Sequence, residues 1–188
     1  MEPKTKQALE KYRKLTIQQK YRYLAHKGYP EIERIINKCP EIIPDIPQDC
    51  FRGLLSFTNN IDMAKICLKQ FTFEEKLEIA KKTKEGKVLN YLTIPTLELL
   101  KKEKDIEKQG DEFWDEIEII YAIIENPKTT KNTIKRISRI PIEHIVYTIL
   151  EKRKLDKDLL EFLLKRKNNS EYLNNRLLRQ INSDIEYM

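Results

Sequence analysis

Basic residues are grouped near the ends of predicted helices, and they are the strongest candidates for a binding site. Lysine and arginine bind phosphates and carboxylates, and a guanidinium does so with two parallel hydrogen bonds. Cations near a helix C-terminus are also favoured locally, by about 0.3–1 kcal/mol each, without any ligand. The residues that a basic ridge would use are Arg136, Arg139, Lys152, Arg153, Lys154, Lys165, Arg166 and Lys167.

A run of acidic residues offers a second chemistry, because carboxylates three or four positions apart share a helix face and could hold a metal ion. These residues are Asp111, Glu112, Asp115, Glu116 and Glu118. No histidine joins them, since His26 and His144 are far away in the sequence. The sequence also lacks a phosphate-binding loop, a nucleophile elbow and a His-Glu-x-x-His motif. We therefore expect no catalytic residues, no cofactor and no metal site.

The composition favours a helical protein with a basic surface. The 188 residues include 36 Lys and Arg and 30 Asp and Glu, so the net charge is +6. This charge suits an acidic partner or a nucleic acid. Nucleotide bias in a genome can also produce the abundance of Lys, Ile and Asn. The 4 glycines are too few for the turns of many short strands.

The cysteines and the apolar segments predict a cytoplasmic protein in a reducing compartment. Cys39, Cys50 and Cys67 are odd in number and widely spaced, so we expect buried thiols rather than a disulfide framework or a zinc site. No apolar run reaches the roughly 18 residues of a membrane span. The charged N-terminus lacks the apolar core of a signal peptide.

Helix-start signals recur along the chain and predict repeated helix pairs. Thr16 and Gln19 have the spacing of a capping box, and Thr72 with Glu75 repeats it. Successive starts are about 21 to 37 residues apart, which leaves room for two short helices each. The further predicted starts are Asp45, Thr93, Thr130 and Asp156.

The N-terminal half resembles ankyrin repeats. The segment from Leu24 to Ile36 is similar to the end of a first helix, a glycine turn at Gly28 and a second helix. When residues 55–67 are laid over it, Gly28 corresponds to Asn59. Glycine and asparagine most readily adopt the left-handed conformation that closes a helix, so both positions are predicted to be turns.

The C-terminal half resembles the variant leucine-rich repeat, a two-helix unit of bacteria. The resemblance rests on the segment from Asn126 to Thr130, followed by Ile134 and Ile137. Lys152 to Leu163 repeats that spacing without the Asn-Pro pair. Both families are largely binding scaffolds without catalytic residues, and the resemblance implies such a role here.

Taken together, the patterns predict an all-α fold, a short right-handed solenoid of about five to six stacked helix pairs in one domain over residues 1–188. Residues 1–44 would form the N-terminal cap and first repeat, with an opening helix from about Thr5. Repeats would fill residues 45–167, with a longer connection near 105–111, and residues 168–188 would form the C-terminal cap. Trp114, at the start of a strongly apolar helix, is predicted to be a buried anchor.

The leading functional hypothesis is a non-enzymatic scaffold that binds another protein, one with acidic groups being the best match. An alternative is binding to a nucleic-acid backbone through basic helix ends aligned along one edge. A third hypothesis is a metal-dependent enzyme that uses the acidic cluster at 111–118. These patterns leave the oligomeric state open and predict no membrane association.

Overall fold

The computed structural model describes residues 10–183, apart from the side chains of residues 17, 21, 25 and 183. Every regular element in that range is helical, which confirms the all-α prediction. The chain divides into two compact units, Met1–Thr72 and Phe73–Met188, which are described separately below. The helix expected from about Thr5 lies partly outside the described residues, and a single domain over residues 1–188 stays a prediction.

The described part of the first unit is a short series of helices that follows helical residues 10–13. Each helix packs on the next, α1 on α2, α2 on the 3-10 helix and on α3, and α3 on α4. The elements are α1 (Ile17–Ala25), α2 (Gly28–Lys38), a 3-10 helix (Pro40–Asp45), α3 (Gln48–Phe57) and α4 (Ile61–Leu68).

Local capping chemistry explains where these helices begin. The predicted capping box is confirmed, since the Thr16 hydroxyl accepts from the Gln19 amide while the Thr16 amide donates to the Gln19 side chain at 2.8 Å. Gly28 has φ +70° at the first position of α2, so the left-handed conformation predicted for this residue is confirmed. The matching prediction for Asn59 is wrong, because no described residue other than glycine has a positive φ. Asn60 caps α4 instead, accepting from the amides of the first turn.

The predicted helix start at Asp45 is also wrong. Asp45 ends the 3-10 helix, and α3 begins only at Gln48, after Pro47. Its carboxylate lies 3.0 Å from the Lys20 ammonium and 3.5 Å from Arg13. The two cations therefore hold the side chain that the pattern assigned to a helix cap.

The described part of the second unit is a series of helices whose lengths range from 7 to 15 residues. The α-helices are α5 (Phe73–Lys82), α6 (Gly86–Leu92), α7 (Ile94–Lys102), α8 (Asp111–Glu125), α9 (Lys131–Ile137), α10 (Glu143–Lys152), α11 (Lys157–Leu164) and α12 (Glu171–Ser183). A 3-10 turn, Ile106–Lys108, lies within the longer connection that was predicted near 105–111.

Helix contacts in the second unit alternate along the chain. The first helices of successive pairs pack on one another, α5 on α8 and α8 on α10. The second helices do the same, α6 on α9 and α9 on α11. In addition, α7 packs on α8, and α12 packs on α11. These contacts bring together helices that are not adjacent in the sequence, as well as neighbours.

Side-chain caps set the starts of the later helices. The Thr130 hydroxyl accepts from the Thr133 amide, and the Asp156 carboxylate accepts from the Leu159 amide at 2.9 Å, so both predicted starts are confirmed. Close approach also matters at Gly86, where an added Cβ would lie 2.8 Å from the methyl group of Thr130. The absence of a side chain there lets the start of α9 approach α6.

The core of the second unit follows the predicted apolar stripes, with one exception. Helix α8 buries both of its isoleucine pairs, at 119–120 and at 123–124. The prediction of Trp114 as a buried anchor is wrong, because 47% of the residue is exposed. Neighbouring Phe113 occupies the buried position, and the next residue on a helix is rotated by about 100° away from it.

Candidate binding groove

The arginines of the predicted basic ridge divide into two groups. In the first group, Arg153 donates from Nη1 to the carbonyl oxygen of Asn126 at 2.9 Å and from Nη2 to that of Thr129 at 2.7 Å. Arg166 donates from Nη2 to the carbonyl oxygen of Ile140 at 2.9 Å. Burial lowers the pKa of Arg166, while the negative charge of Glu143 opposes that shift. Arg153 thus links the end of α10 to the turn between α8 and α9, and Arg166 links the end of α11 to the turn after α9.

Asn126 continues the same series of contacts. Its side-chain amide donates to the carbonyl oxygens of Ala80 at 2.8 Å and Thr83 at 3.0 Å, which end helix α5. The side-chain oxygen accepts from the Lys128 amide at 2.9 Å, and 4% of the residue is exposed. The carbonyls at the end of a helix have no partner within it, so this buried amide satisfies groups that burial would otherwise leave unpaired. Asn126 of the Asn-Pro pair therefore has a structural role.

The lysines of the predicted ridge remain at the surface. Lys152 lies 3.2 Å from the Glu125 carboxylate, in the pair before it. The others, Lys154, Lys165 and Lys167, are exposed, and none of them lines the groove described next.

A groove of about 980 Å³ brings the second group of arginines together with residues from other helices. This volume is at the upper end of typical ligand sites, which measure roughly 300–1,000 Å³. Helices α6, α7 and α9 contribute most of its lining, and the connections after α7, α9 and α11 complete it. The lining residues are Asn90, Leu97, Leu100, Lys101, Lys104, Asn132, Lys135, Arg136, Arg139, Pro141 and Asn168.

The short helix α9 carries two of the cations in the groove, and Arg139 follows its end. Its Thr130 cap fixes the first turn, and Ile134 and Ile137 are buried on the inner side. The intervening residues Lys135 and Arg136 are left on the groove side. The Lys135 ammonium lies 5.2 Å from the centre of the Phe162 ring, a cation–π distance that orients the side chain.

The lining of the groove is positively charged. All of its charged lining residues are cations, and in the described part of the chain none of them forms an ion pair with a carboxylate. The pKa of Arg136 is lowered by burial and by the nearby charge of Arg139. Arg136 also donates from Nη1 to the Asn90 side-chain oxygen, at 3.4 Å. An anion between the two guanidinium groups would relieve this repulsion.

Burial divides the predicted acidic cluster of α8 into two parts. Asp111, Glu112, Asp115 and Glu118 are exposed, whereas Glu116 is buried. The Glu116 carboxylate lies 2.6 Å from the Lys76 ammonium of α5, and burial raises its pKa despite that partner. Among residues 10–183, no group of three or more histidine, cysteine or acidic side chains is arranged to hold a metal ion.

Both histidines are exposed, and the His144 ring lies edge-on to Tyr121 with 5.8 Å between the ring centres. Sequence reasoning placed Arg136 and Arg139 among its candidates but missed Lys135 and the three asparagines of the groove. A signal was present in the adjacent Lys135 and Arg136, followed by Arg139 on the next turn.

Within the described range, no helix combines the length and the apolar character that crossing a bilayer requires. Comparison of the chain with protein-family models, with curated proteins and with solved structures finds no match.

Proposed function

We propose that the chain is a non-enzymatic helical-repeat module that binds an acidic segment of another protein in its basic groove. The observation that carries the proposal is the charge of the lining, in which cations from α7 and α9 converge without carboxylate partners. The lining combines these cations with amides and with Leu97 and Leu100. It therefore suits a segment that carries both acidic and apolar side chains.

In this proposal the second unit is a short solenoid, and the groove is one of its surfaces. The alternating helix contacts support this arrangement. So do the contacts that Arg153 and Arg166 make with carbonyls 24 to 27 residues earlier in the chain, since a stack of similar units repeats its links at similar intervals.

A nucleic-acid backbone is the second candidate partner, because phosphates would also suit a lining without acidic residues. The lining favours protein, however. No aromatic side chain is among the residues that line this groove, so an unpaired base would find no ring on which to stack.

The test is a comparison of two charge-reversal variants. Arg136→Glu with Arg139→Glu alters the groove, and Lys154→Glu with Lys167→Glu makes the same change of charge at exposed sites outside it. Binding of a fluorescein-labelled glutamate-rich peptide of about ten residues would be measured by fluorescence anisotropy from about 50 to 200 mM salt.

We expect the groove variant to lose at least about tenfold in affinity and the surface variant to lose about twofold or less. Equal losses would overturn the groove as the site, because net charge alone would then explain binding. An absence of peptide binding at about 50 mM salt would overturn the acidic partner. Urea unfolding of each variant shows whether it is folded.

A further inference from the structure

Three asparagines line the groove, and each comes from a different segment of the chain. Asn90 belongs to α6, Asn132 to α9, and Asn168 to the connection after α11. Since α6 packs on α9 and α9 packs on α11, the three amides lie along the groove in the same order as in the sequence. None of the hydrogen bonds of the described residues uses the side chain of Asn132 or Asn168, and only the oxygen of Asn90 is engaged, by Arg136.

The amide side chain distinguishes between the two classes of anionic partner. It has an NH₂ donor and a carbonyl acceptor, so it matches a peptide main chain, which presents both N–H and C=O groups. A phosphodiester backbone only accepts hydrogen bonds, and it would leave the side-chain oxygens of Asn132 and Asn168 unmatched. Cations alone would serve either partner, whereas the exposed amides of Asn132 and Asn168 add both donors and acceptors, which only a main chain uses fully.

Building on the proposed function, we propose that the groove binds the acidic segment in an extended conformation and that its asparagines hydrogen-bond to the main chain of that segment. The acidic side chains of the segment then meet the arginines and lysines of the lining. Its apolar side chains meet Leu97, Leu100 and Pro141. Affinity comes from the charges, and the amides select a chain that is locally unfolded.

The dimensions are consistent with a short segment. Packed helices lie about 8–10 Å apart, so the two steps from α6 to α11 span roughly 20 Å. An extended chain advances about 3.3 Å per residue, and six residues therefore cover that span.

Main-chain recognition can be separated from charge recognition by N-methylation. The probe is a labelled peptide of about ten residues made of glutamate, serine and two leucines, with or without N-methyl groups on its central amides. Methylation removes N–H donors and leaves every side-chain charge in place. We expect it to weaken binding to the unaltered protein by about tenfold, and binding to Asn132→Ala by about threefold or less.

Asn175→Ala, which alters an exposed asparagine of α12 outside the groove, is the matched control and should retain the full effect of methylation. If the unmethylated peptide binds in the groove and methylation changes nothing, main-chain recognition is wrong while the proposed function stands. If the same peptide fails to bind at all, both are wrong.

A labelled oligothymidylate with the same charge as the peptide tests whether the groove binds a phosphate backbone instead. Tighter binding of the oligonucleotide than of the peptide, unaffected by Asn132→Ala, would overturn the proposal in favour of a phosphate backbone. Weaker binding of the oligonucleotide would support it. Urea unfolding of Asn132→Ala checks that the groove itself is intact, and we expect a change within about 0.5 kcal/mol because the side chain is exposed.

Discussion

Basic side chains of the second unit are used in two different ways, although their sequence contexts are alike. Arg153 and Arg166 follow helix ends and donate to main-chain carbonyls of the preceding helix pair. Arg136 and Arg139 also lie at a helix end, yet they line an open groove among other cations. The difference lies in the neighbouring turn, because an arginine becomes structural where a turn within reach leaves carbonyl oxygens without partners. Its residue type and its distance from a helix end do not decide the matter.

The largest effect is expected at Asn126, the buried polar residue of the structural set. Asn126→Ala leaves the carbonyls of Ala80 and Thr83 without their donor, and we expect the free energy of unfolding to fall by about 3 kcal/mol. Urea unfolding followed by circular dichroism measures it. Asn132→Ala, at an exposed asparagine, is the control. A loss below about 1 kcal/mol would mean that water replaces the amide, and the structural role would have to be withdrawn.

A smaller effect distinguishes the two kinds of arginine directly. Arg153→Gln removes charged donors from two carbonyls, and we expect a loss of about 1–2 kcal/mol in the free energy of unfolding. Arg139→Gln should change it by about 0.5 kcal/mol or less, because that exposed side chain has no such partner. Parallel urea titrations provide the measurement. Equal losses of unfolding free energy in the two variants would show that Arg153 and Arg139 do not differ in structural role.

The smallest effect is a pH dependence from the buried pair of Glu116 and Lys76. Burial raises the pKa of Glu116 above its usual value near 4.5, so the folded chain binds a proton more readily than the unfolded one. The resulting stabilisation is present below pH 4.5 and is lost as the pH rises through the raised pKa. We therefore expect the stability of the unaltered protein, relative to Glu116→Gln, to be greater near pH 5 than near pH 7.

Urea unfolding at both pH values tests this prediction, with Glu118→Gln as the exposed control on the same helix. The control should show no comparable change with pH. A relative stability that increases towards neutral pH would show instead that the ion pair with Lys76 outweighs the cost of burial.

Local chemistry in the sequence predicted much of the helical order. The hydroxyls of Thr16 and Thr130 and the carboxylate of Asp156 mark helix starts because the caps that they form involve residues only three positions away. The prediction at Asp45 was wrong because cations 25 and 32 residues earlier bind its carboxylate. Trp114 was misplaced for a related reason, since an apolar helix indicates that one side is buried but not which of two adjacent aromatics lies on it.

The groove was less predictable than the helices. Arg136 and Arg139 were identified as candidates from their type, but their neighbours in the groove come from α6, α7 and the connection after α11. The contacts of α9 with α6 and α11, and of α7 with α6 and α8, bring these segments together. The structural use of Arg153 was equally hidden, because its acceptors are main-chain atoms, which every residue has and no sequence pattern marks.

The distribution of cysteine and tryptophan gives each unit its own native reporter. All three cysteines lie before residue 73, and the single tryptophan lies after it. Burial raises the pKa of Cys67 to about 12, so its thiol reacts with an alkylating reagent only when the surrounding helices open. Trp114 emission follows the second unit. The alkylation rate of Cys67 and the fluorescence of Trp114 can therefore establish, without any introduced residue, whether the two units unfold together or one before the other.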